Sequence, residues 1–347
     1  MTSQSIGILA PSLDSSAETA RRLRNRGLAN VLRMGHCAPS IMQAMLDVSE
    51  TDAQWLVKLV AGLPGGIGNT GGECGGVTAP LVLLGLRYGQ EKTVQGLPVV
   101  VYKGHDVLRR FVGCQGTTAC REIRGEARVP VRCIGVVRQA PVLCAESMGA
   151  DCTAAISATR QEAFGRLYAH WLEKKFHCAH AVFHHLEHTI PVSEELLNGG
   201  SGFMGGTVFT GMTCSALTAG VMVLGLRLGQ IENSHLRVLR MIGTMAVRGD
   251  AFADDLNAFS KIMNLGNRLS QWFTAEFGST QCGAITQCDF STTEGVQRYI
   301  DDGGTARCSA MAQSVALRVL SMIQPVDTAE SVQRGSSSAL LTGARNP

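Results

Sequence analysis

The sequence predicts an all-α protein made of two tandem, homologous helical-bundle domains, each with a glycine-rich loop. Two observations carry this prediction. The segment that begins at Cys74 aligns without a gap with the segment that begins at Cys214, with 9 identities in 17 positions, so the chain contains an internal repeat. Apolar residues also recur at helical spacing through both copies, and only one short segment has the composition of a strand.

The landmarks of the repeat set the predicted domain boundaries. The His-Cys-Ala sequence at 36–38 matches that at 177–179 with an offset of 141 residues, and the text around Cys120 matches that around Cys282 with an offset of 162. The second copy therefore carries about 22 additional residues before this point. We predict a first domain over residues 1–150, a second over 151–325, and a disordered tail over 326–347. An approximate two-fold axis is expected to relate the domains.

The individual elements follow from local patterns. Residues 52–63 predict a helix, the valine-rich segment Leu97–Tyr102 predicts a strand, and 151–190 is a long run of helix-forming residues. In the second copy, 236–247 and 252–277 predict helices inside the extra segment. Because an insertion in one copy of a duplicated protein can cover one site, we expect unequal solvent access to the two sites.

Composition limits the classes of partner and the compartment. The chain has 31 Lys and Arg against 28 Asp and Glu, and charged residues make up only 17%. This balance argues against a nucleic-acid-binding surface. The uncharged stretch 196–226 is interrupted by glycines, so stable membrane insertion is not expected. The first 30 residues lack the charged and apolar segments of a secretory signal, which favours a cytoplasmic location.

Cysteine is the most informative residue type, since the chain has 12 and no two of them stand in C-x-x-C spacing. The absence of C-x-x-C excludes a thioredoxin-type dithiol, c-type haem attachment, the bacterial ferredoxin pattern and the common zinc ribbons. The repeat leaves four widely spaced cysteines in each copy. They are Cys37, Cys74, Cys120 and Cys133 in the first copy and Cys178, Cys214, Cys282 and Cys308 in the second.

Together, these features resemble the C_GCAxxG_C_C family of redox-active proteins. The resemblance rests on the His-Cys-Ala sequence, the glycine-rich loop that ends at Cys74 or Cys214, the LGLRxG sequence that follows, and the third and fourth cysteines. The chain departs from the family pattern at Ala79, Ala219 and Ser215, where the family has glycine. The resemblance implies small helical domains, here fused as a pair, and a relation to the cysteine-rich segment of split-Soret cytochromes.

Four converging thiolates match the ligand number of a [2Fe-2S] cluster, a [4Fe-4S] cluster or a tetrahedral zinc ion. Eight of the fifteen residues from Gly62 to Gly76 are glycine, so backbone N–H groups could approach an anionic centre closely. We therefore expect cofactor contacts from the glycines of both loops, which are Gly66, Gly68, Gly71, Gly72, Gly205 and Gly206. The loops contain G-x-G-x-x-G, but a predicted helix precedes the first, which argues against dinucleotide binding.

Histidines and the remaining cysteines are secondary candidates. His36 and His177 precede the first cysteine of each copy and could be hydrogen-bond donors to the centre, additional ligands, proton carriers or helix caps. His177, His180, His184, His185 and His188 are predicted to lie on one helix, with an exposed polar face. Cys114, Cys144, Cys152 and Cys288 are expected to be small buried side chains, with Cys282 rather than Cys288 as the counterpart of Cys120.

The sequence thus favours a redox-active electron-transfer protein with one cysteine-ligated iron-sulfur cluster in each domain and a redox partner protein. A thiol-disulfide redox protein that uses the same cysteines is the first alternative. A module that binds zinc or another metal without catalysis, or no metal at all, is the second. The pattern is compatible with a homo-oligomer, and an enzyme with these features would be an oxidoreductase.

Overall fold

The computed structural model describes residues 13–125, 131–229, 234–248 and 260–323, so the predicted tail over 326–347 lies outside the described residues. The all-α prediction is confirmed, because these residues form helices with one two-stranded antiparallel hairpin. Within these ranges, every helix is too short or too polar to cross a membrane.

Each repeat begins with a long helix and ends with another. The first repeat contains α1 (Ala17–Met34), α2 (Cys37–Ser49), α3 (Gln54–Leu59), α4 (Gly75–Tyr88), β1 (Thr93–Val94), β2 (Leu97–Pro98), α5 (Val99–Gln115), α6 (Cys120–Arg124) and α7 (Val131–Gly149). The second contains α8 (Ala158–Glu173), α9 (Cys178–His185), α10 (Glu194–Gly200), α11 (Ser215–Leu228), α12 (His235–Arg248), α13 (Lys261–Phe277), α14 (Cys282–Thr286), α15 (Thr293–Asp301) and α16 (Gly304–Ile323). Short 3-10 turns lie at Thr153–Ala155 and Ser201–Phe203.

The helix boundaries reproduce the sequence repeat. Helices α4 and α11 both have 14 residues, α5 and α13 both have 17, and α6 and α14 both have five. Helices α12 and α15 have no counterpart among the described residues of the first repeat. The tandem duplication is therefore present in the structure as well as in the sequence.

Reciprocal contacts between the repeats indicate the pseudo-two-fold axis. Helix α4 packs on α10, and its counterpart α11 packs on α3, the counterpart of α10. A Cβ atom at Gly85 in α4 would overlap the carbonyl oxygen of Asn198, and one at Gly225 in α11 would lie 2.5 Å from the carbonyl oxygen of Lys58. Both pairs are related by the same offset of 140 residues, as an isologous interface requires.

The two repeats share one hydrophobic core. The buried apolar side chains form a single cluster with members from both repeats, so the repeats are packed as the two halves of one body. The boundary predicted at residue 150 falls between α7 and α8.

The strand prediction for Leu97–Tyr102 is wrong beyond its first two residues. Only Leu97 and Pro98 pair with β1, and Val99 begins α5. Val100, Val101 and Tyr102 are buried on this helix. The helix penalty of a valine is below about 1 kcal/mol, so burial of these side chains outweighs the local β preference.

The two longest helical predictions are partly correct. The stretch 151–190 is divided into α8 and α9, with a break at residues 174–177. In the extra segment, α12 agrees with the predicted helix at 236–247, and α13 covers the second half of 252–277. Residues 249–259 lie outside the described ranges.

Candidate functional site

The eight repeated cysteines all lie at the N-terminal ends of helices. Cys37, Cys120, Cys178 and Cys282 are the first residues of α2, α6, α9 and α14, and Cys74 and Cys214 are the N-cap residues of α4 and α11. Cys133 and Cys308 lie near the starts of α7 and α16. Helix N-termini carry unpaired N–H groups and positive partial charge, which favour thiolate over thiol.

In the first repeat, three thiols are in direct contact. The Cys37 thiol forms a hydrogen bond with the Cys74 thiol, and the Cys74 thiol forms one with the Cys120 thiol. The Cys74 thiol and burial raise the pKa of Cys37 well above the ordinary value. The Cys120 thiol and burial raise the pKa of Cys74 well above the ordinary value, although its contact with Cys37 opposes this rise. Burial also raises the pKa of Cys133 to about 12, and the proximity of Cys37 adds to this rise. The structure therefore brings the four predicted cysteines of this repeat together.

In the second repeat, Cys178, Cys214, Cys282 and Cys308 are also close enough to perturb one another. Burial raises the pKa of Cys178 and Cys282 well above the ordinary value and that of Cys214 to about 12, and the neighbouring thiols add to each rise. Burial raises the pKa of Cys308 as well. Without a cation, the cysteines of both sets whose pKa is raised are therefore neutral thiols at pH 7.

The glycine-rich loops provide backbone hydrogen-bond donors at equivalent positions. The Gly65 N–H group donates to the Cys37 sulfur, and the Gly205 N–H group donates to the Cys178 sulfur. Both glycines have left-handed backbones, with φ of +71° and +59°. Left-handed φ also recurs at the next four positions of each loop, from 66 to 69 and from 206 to 209. The expected approach of N–H groups to the cysteines is thus present, although Gly65 rather than Gly66 makes it.

The other predicted glycines shape the loops. The Gly72 carbonyl accepts the Cys120 N–H at 2.7 Å, and a Cβ atom on Gly206 would lie 2.6 Å from the Cβ atom of Cys282. A Cβ atom on Gly66 would overlap the backbone of residues 71 and 72, one on Gly68 would approach the backbone of α13, and one on Gly71 would approach Arg121. These contacts hold the third cysteine against the loop.

Equivalent hydrogen bonds identify Cys282, and not Cys288, as the structural counterpart of Cys120. The Cys74 N–H donates to the Thr118 carbonyl, and the Cys214 N–H donates to the Thr280 carbonyl, both at 2.8 Å. The Cys282 N–H donates to the Met212 carbonyl at 2.7 Å, as that of Cys120 does to Gly72. The Cys288 thiol instead lies 3.5 Å from the Gly295 carbonyl.

A buried carboxylate connects the two sets at the pseudo-two-fold axis. Glu73 precedes Cys74, and its counterpart Thr213 precedes Cys214. The Thr213 N–H donates to Glu73 at 2.6 Å, and the Thr213 hydroxyl donates to the other carboxylate oxygen. Glu73 is 4% exposed. These hydrogen bonds join the N-terminal ends of α4 and α11.

His36 and His177 are the N-cap residues of α2 and α9. The Nδ1 atom of His177 accepts the His180 N–H at 3.3 Å, so this histidine is a helix cap, whereas His36 forms no capping bond. Burial lowers the pKa of His36 to about 4 and that of His177 well below its usual value. Both histidines are therefore neutral at pH 7. Among the described residues, the buried Nε2 atom of His36 has no hydrogen-bond partner.

The predicted five-histidine helix is wrong at both ends. Helix α9 begins after His177 and ends at His185, so His188 lies outside it. His180 is not part of an exposed polar face, since its Nε2–H donates to the Leu197 carbonyl at 2.7 Å and its ring lies 3.9 Å from that of His177.

The surroundings of the two sets differ. In the first, the buried cation Arg124 lies near Cys133 and opposes the rise in its pKa. In the second, the Tyr299 hydroxyl lies 3.4 Å from the Cys308 sulfur, and the Met311 sulfur lies 3.7 Å from the Cys214 sulfur. Sequence comparison of the copies could not identify Tyr299, because α15 has no counterpart in the described part of the first repeat.

Helices α12 and α15, which occur only in the second repeat among the described residues, do not together cover one set of cysteines. Helix α12 packs on α1 of the first repeat, where the Ser234 N–H donates to Arg33 and the Arg237 side chain donates to Met34. Helix α15 instead brings Tyr299 to the second set. Each set keeps some partly exposed cysteine, namely Cys37 and Cys133 in the first and Cys308 in the second. Unequal reactivity of the two sets remains a prediction.

The remaining cysteines are not all buried. Cys144, Cys152 and Cys288 are buried, as predicted, but Cys114 is exposed on α5. The prediction for Cys114 is therefore wrong, because its position faces solvent on an amphipathic helix.

Exposure predicts one fast-reacting thiol. Cys114 is the only exposed member of the twelve cysteines. We expect a single rapid phase with an aromatic disulfide reagent in the folded protein, and Cys114→Ser should remove it, because the other thiols are shielded or have a raised pKa. A rapid phase that persists in Cys114→Ser would contradict this assignment.

Buried histidine predicts loss of stability in acid. His105 is 8% exposed and its Nε2–H donates to the Val208 carbonyl at 2.8 Å, and burial lowers its pKa to about 4. The unfolded chain binds this proton near pH 6.5, so stability is complete above pH 6.5 and falls between pH 6.5 and 4 by about 1.4 kcal/mol per pH unit. The free energy of unfolding is measured by denaturant titration at several pH values between 4 and 6.5. In His105→Gln, the slope of this free energy against pH should correspond to about one proton fewer than in the wild type. An unchanged slope would contradict this assignment.

The donor set fits a cluster bound by four thiolates, although the thiols are not preformed around an ion. Among the described residues, no three His, Cys, Asp or Glu side chains are spaced to hold a metal ion as they stand. In the first set, the thiols form hydrogen bonds with one another. Ligand binding would require loss of these protons and small rotations of the side chains.

The comparison with protein families agrees with this geometry. A sequence model of the family described as "Putative redox-active protein (C_GCAxxG_C_C)" matches residues 35–147 and 176–322. Each match contains four cysteines of one set and the glycine-rich loop. No curated protein and no solved structure matches the chain.

Proposed function

The chain belongs to the C_GCAxxG_C_C family of redox-active proteins, and from that premise we propose that it transfers electrons through one iron-sulfur cluster in each repeat. The proposed ligands are the four cysteines of each set. The two clusters would lie on either side of the Glu73–Thr213 contact.

The observation that carries this proposal is the agreement of the two sets in the placement of their cysteines and in the backbone of the loop beside them. In each set, four cysteines lie at helix N-termini, and a left-handed glycine donates its N–H to the first cysteine sulfur. Such donors stabilise the negative charge of a cluster and tune its potential. Zinc bound by four cysteines has less need of them, so the loops favour a cluster over zinc.

A thiol-disulfide mechanism is the second candidate, because the Cys37, Cys74 and Cys120 thiols are in contact. The protonation of these thiols argues against it. An attacking cysteine needs thiolate at pH 7 and access to its partner, but Cys74 is 3% exposed and its pKa is raised well above the ordinary value. Binding of cationic iron would instead favour loss of the protons.

The residues of the chain have distinct roles in this proposal. The buried cysteines exclude water from the centre, and the glycine N–H groups at 65 and 205 stabilise sulfur charge. Tyr299 would donate a hydrogen bond to Cys308, so the second centre should be easier to reduce than it would be with phenylalanine at this position. The partly exposed Cys37, Cys133 and Cys308 are the positions closest to a redox partner protein.

Anaerobic reductive titration with a thiol count tests the proposal. A cluster accepts one electron without the appearance of new thiols, and its visible absorption bleaches. Reduction of a disulfide consumes two electrons and releases two thiols per bond. We expect bleaching with an unchanged thiol count. Two new thiols per electron pair in a colourless protein would support the disulfide alternative, and stoichiometric zinc without electron uptake would support the zinc module.

A further inference from the structure

A cavity lies beside the second set of cysteines, between the end of α8, the start of α9 and the start of α16. Its volume is about 650 Å³, within the range of ligand-binding pockets. All of its ionisable lining residues are basic, and none is acidic. They are Lys174, Lys175, His170, His177, His180 and His184.

The cavity adjoins the cysteines without containing them. His177 lines it and directly precedes Cys178, and Ala306 and Ser309 line it on either side of Cys308. A molecule in the cavity would therefore lie next to the second set of cysteines without contacting their sulfurs.

Lys175 is held in an unfavourable backbone conformation at this cavity. Its φ is +49°, in the left-handed region, where a side chain is disfavoured. The first repeat has Met34 at the aligned position, and its left-handed helix end is the next residue, Gly35, with φ of +72°. A glycine at position 175 would avoid this strain.

The electrostatics of the cavity come mainly from its lysines. Lys174 lies 3.6 Å from Glu173, an exposed pair of little energetic weight. Within the described ranges, Lys175 forms no ion pair. Burial lowers the pKa of His177 below its usual value and that of His180 to about 4, so both are neutral polar groups. The buried Trp171, together with Phe176 and Ile300, supplies apolar walls.

We propose that this cavity binds an organic anion, a carboxylate or phosphate attached to an apolar group. The lysines would pair with the anionic group, and the aromatic and aliphatic walls would contact the apolar part. The proposal concerns binding and does not depend on the presence of iron-sulfur clusters.

The proposed site is formed mainly by the second repeat, with Gln90 of the first repeat at its edge. A separate cavity of about 420 Å³ beside His36 also carries basic residues, namely Lys58, Arg227, Arg237 and Lys261. The first repeat has Ala29, Pro39 and Gln43 at the positions of His170, His180 and His184.

Titration calorimetry of the full chain with phenyl phosphate, benzoate and inorganic phosphate tests the proposal. We expect phenyl phosphate or benzoate to bind more tightly than inorganic phosphate. Lys175→Gly should weaken this binding about ten-fold, and it should fold because glycine suits the left-handed backbone. The matched control is Arg33→Ala, which removes a positive charge near the corresponding helix end of the first repeat.

The results of this experiment test anion binding by the cavity independently of the proposed iron-sulfur clusters. Preferential binding of either organic anion supports the proposal and identifies the favoured anionic group. Absence of binding, equal binding of inorganic phosphate, or equal loss in Lys175→Gly and Arg33→Ala would overturn it. Metal content is measured on the same samples, so anion binding by a metal-free protein would leave this site supported while contradicting the proposed clusters.

Discussion

Cys74→Ser is expected to remove about half of the bound iron, with a similar result for Cys214→Ser. Each substitution removes one proposed ligand from one set and leaves the other set intact. The variants should also unfold at lower denaturant concentration, because the free energy of metal binding contributes to the stability of the folded state. Iron and acid-labile sulfide analysis of anaerobically purified protein, with denaturant titration, measures both effects.

Cys288→Ser is the matched control for these variants. Cys288 is buried like the proposed ligands, but its backbone does not occupy the position equivalent to Cys120. We expect near wild-type iron content in Cys288→Ser and about half in Cys282→Ser. The reverse pattern would assign the third ligand of the second set to Cys288, and full iron loss in a single variant would indicate one shared centre.

Gly85→Ala should destabilise the protein by about 3 kcal/mol, since an added methyl group has no space at the interface between the repeats. The Cβ atom would overlap the Asn198 carbonyl oxygen, which belongs to backbone rather than to a flexible side chain. Gly225→Ala should have a similar effect, because it meets the equivalent Lys58 carbonyl. Denaturant unfolding followed by circular dichroism measures the change in the free energy of unfolding.

Gly165→Ala provides the control for an added methyl group in a helix. This glycine lies within α8, and a Cβ atom there would have no neighbour within 4 Å. Alanine should stabilise the helix by about 0.5–1 kcal/mol. Equal stability of Gly85→Ala and the wild type would contradict the close packing of α4 against the second repeat.

Features that repeat in the sequence were predictable. The offset of 162 residues between Cys120 and Cys282 also separates α5 from α13 residue for residue. The alignment therefore placed the third cysteine correctly, although Cys288 offered a competing spacing. The concentration of glycine in 62–76 predicted donors near the cysteines, because only an open, left-handed backbone brings N–H groups so close.

Features that depend on tertiary contacts were not predictable from local patterns. Nothing in the loop sequence distinguishes Gly65 from Gly66, but only the first donates to Cys37. The Glu73–Thr213 contact joins positions 140 residues apart, and Tyr299 lies on a helix present in one repeat only. The strand prediction failed at Val99 for the same reason, since burial in the shared core overrides the β preference of valine.

Iron and acid-labile sulfide analysis of the anaerobically purified wild-type protein, combined with electron paramagnetic resonance after reduction, tests the central claim most directly. The proposed function predicts equal amounts of iron and sulfide, corresponding to two clusters per chain, and two distinct signals because the surroundings of the two sets differ at Arg124 and Tyr299. A colourless protein without iron and sulfide, whether it contains stoichiometric zinc or free thiols, would contradict it.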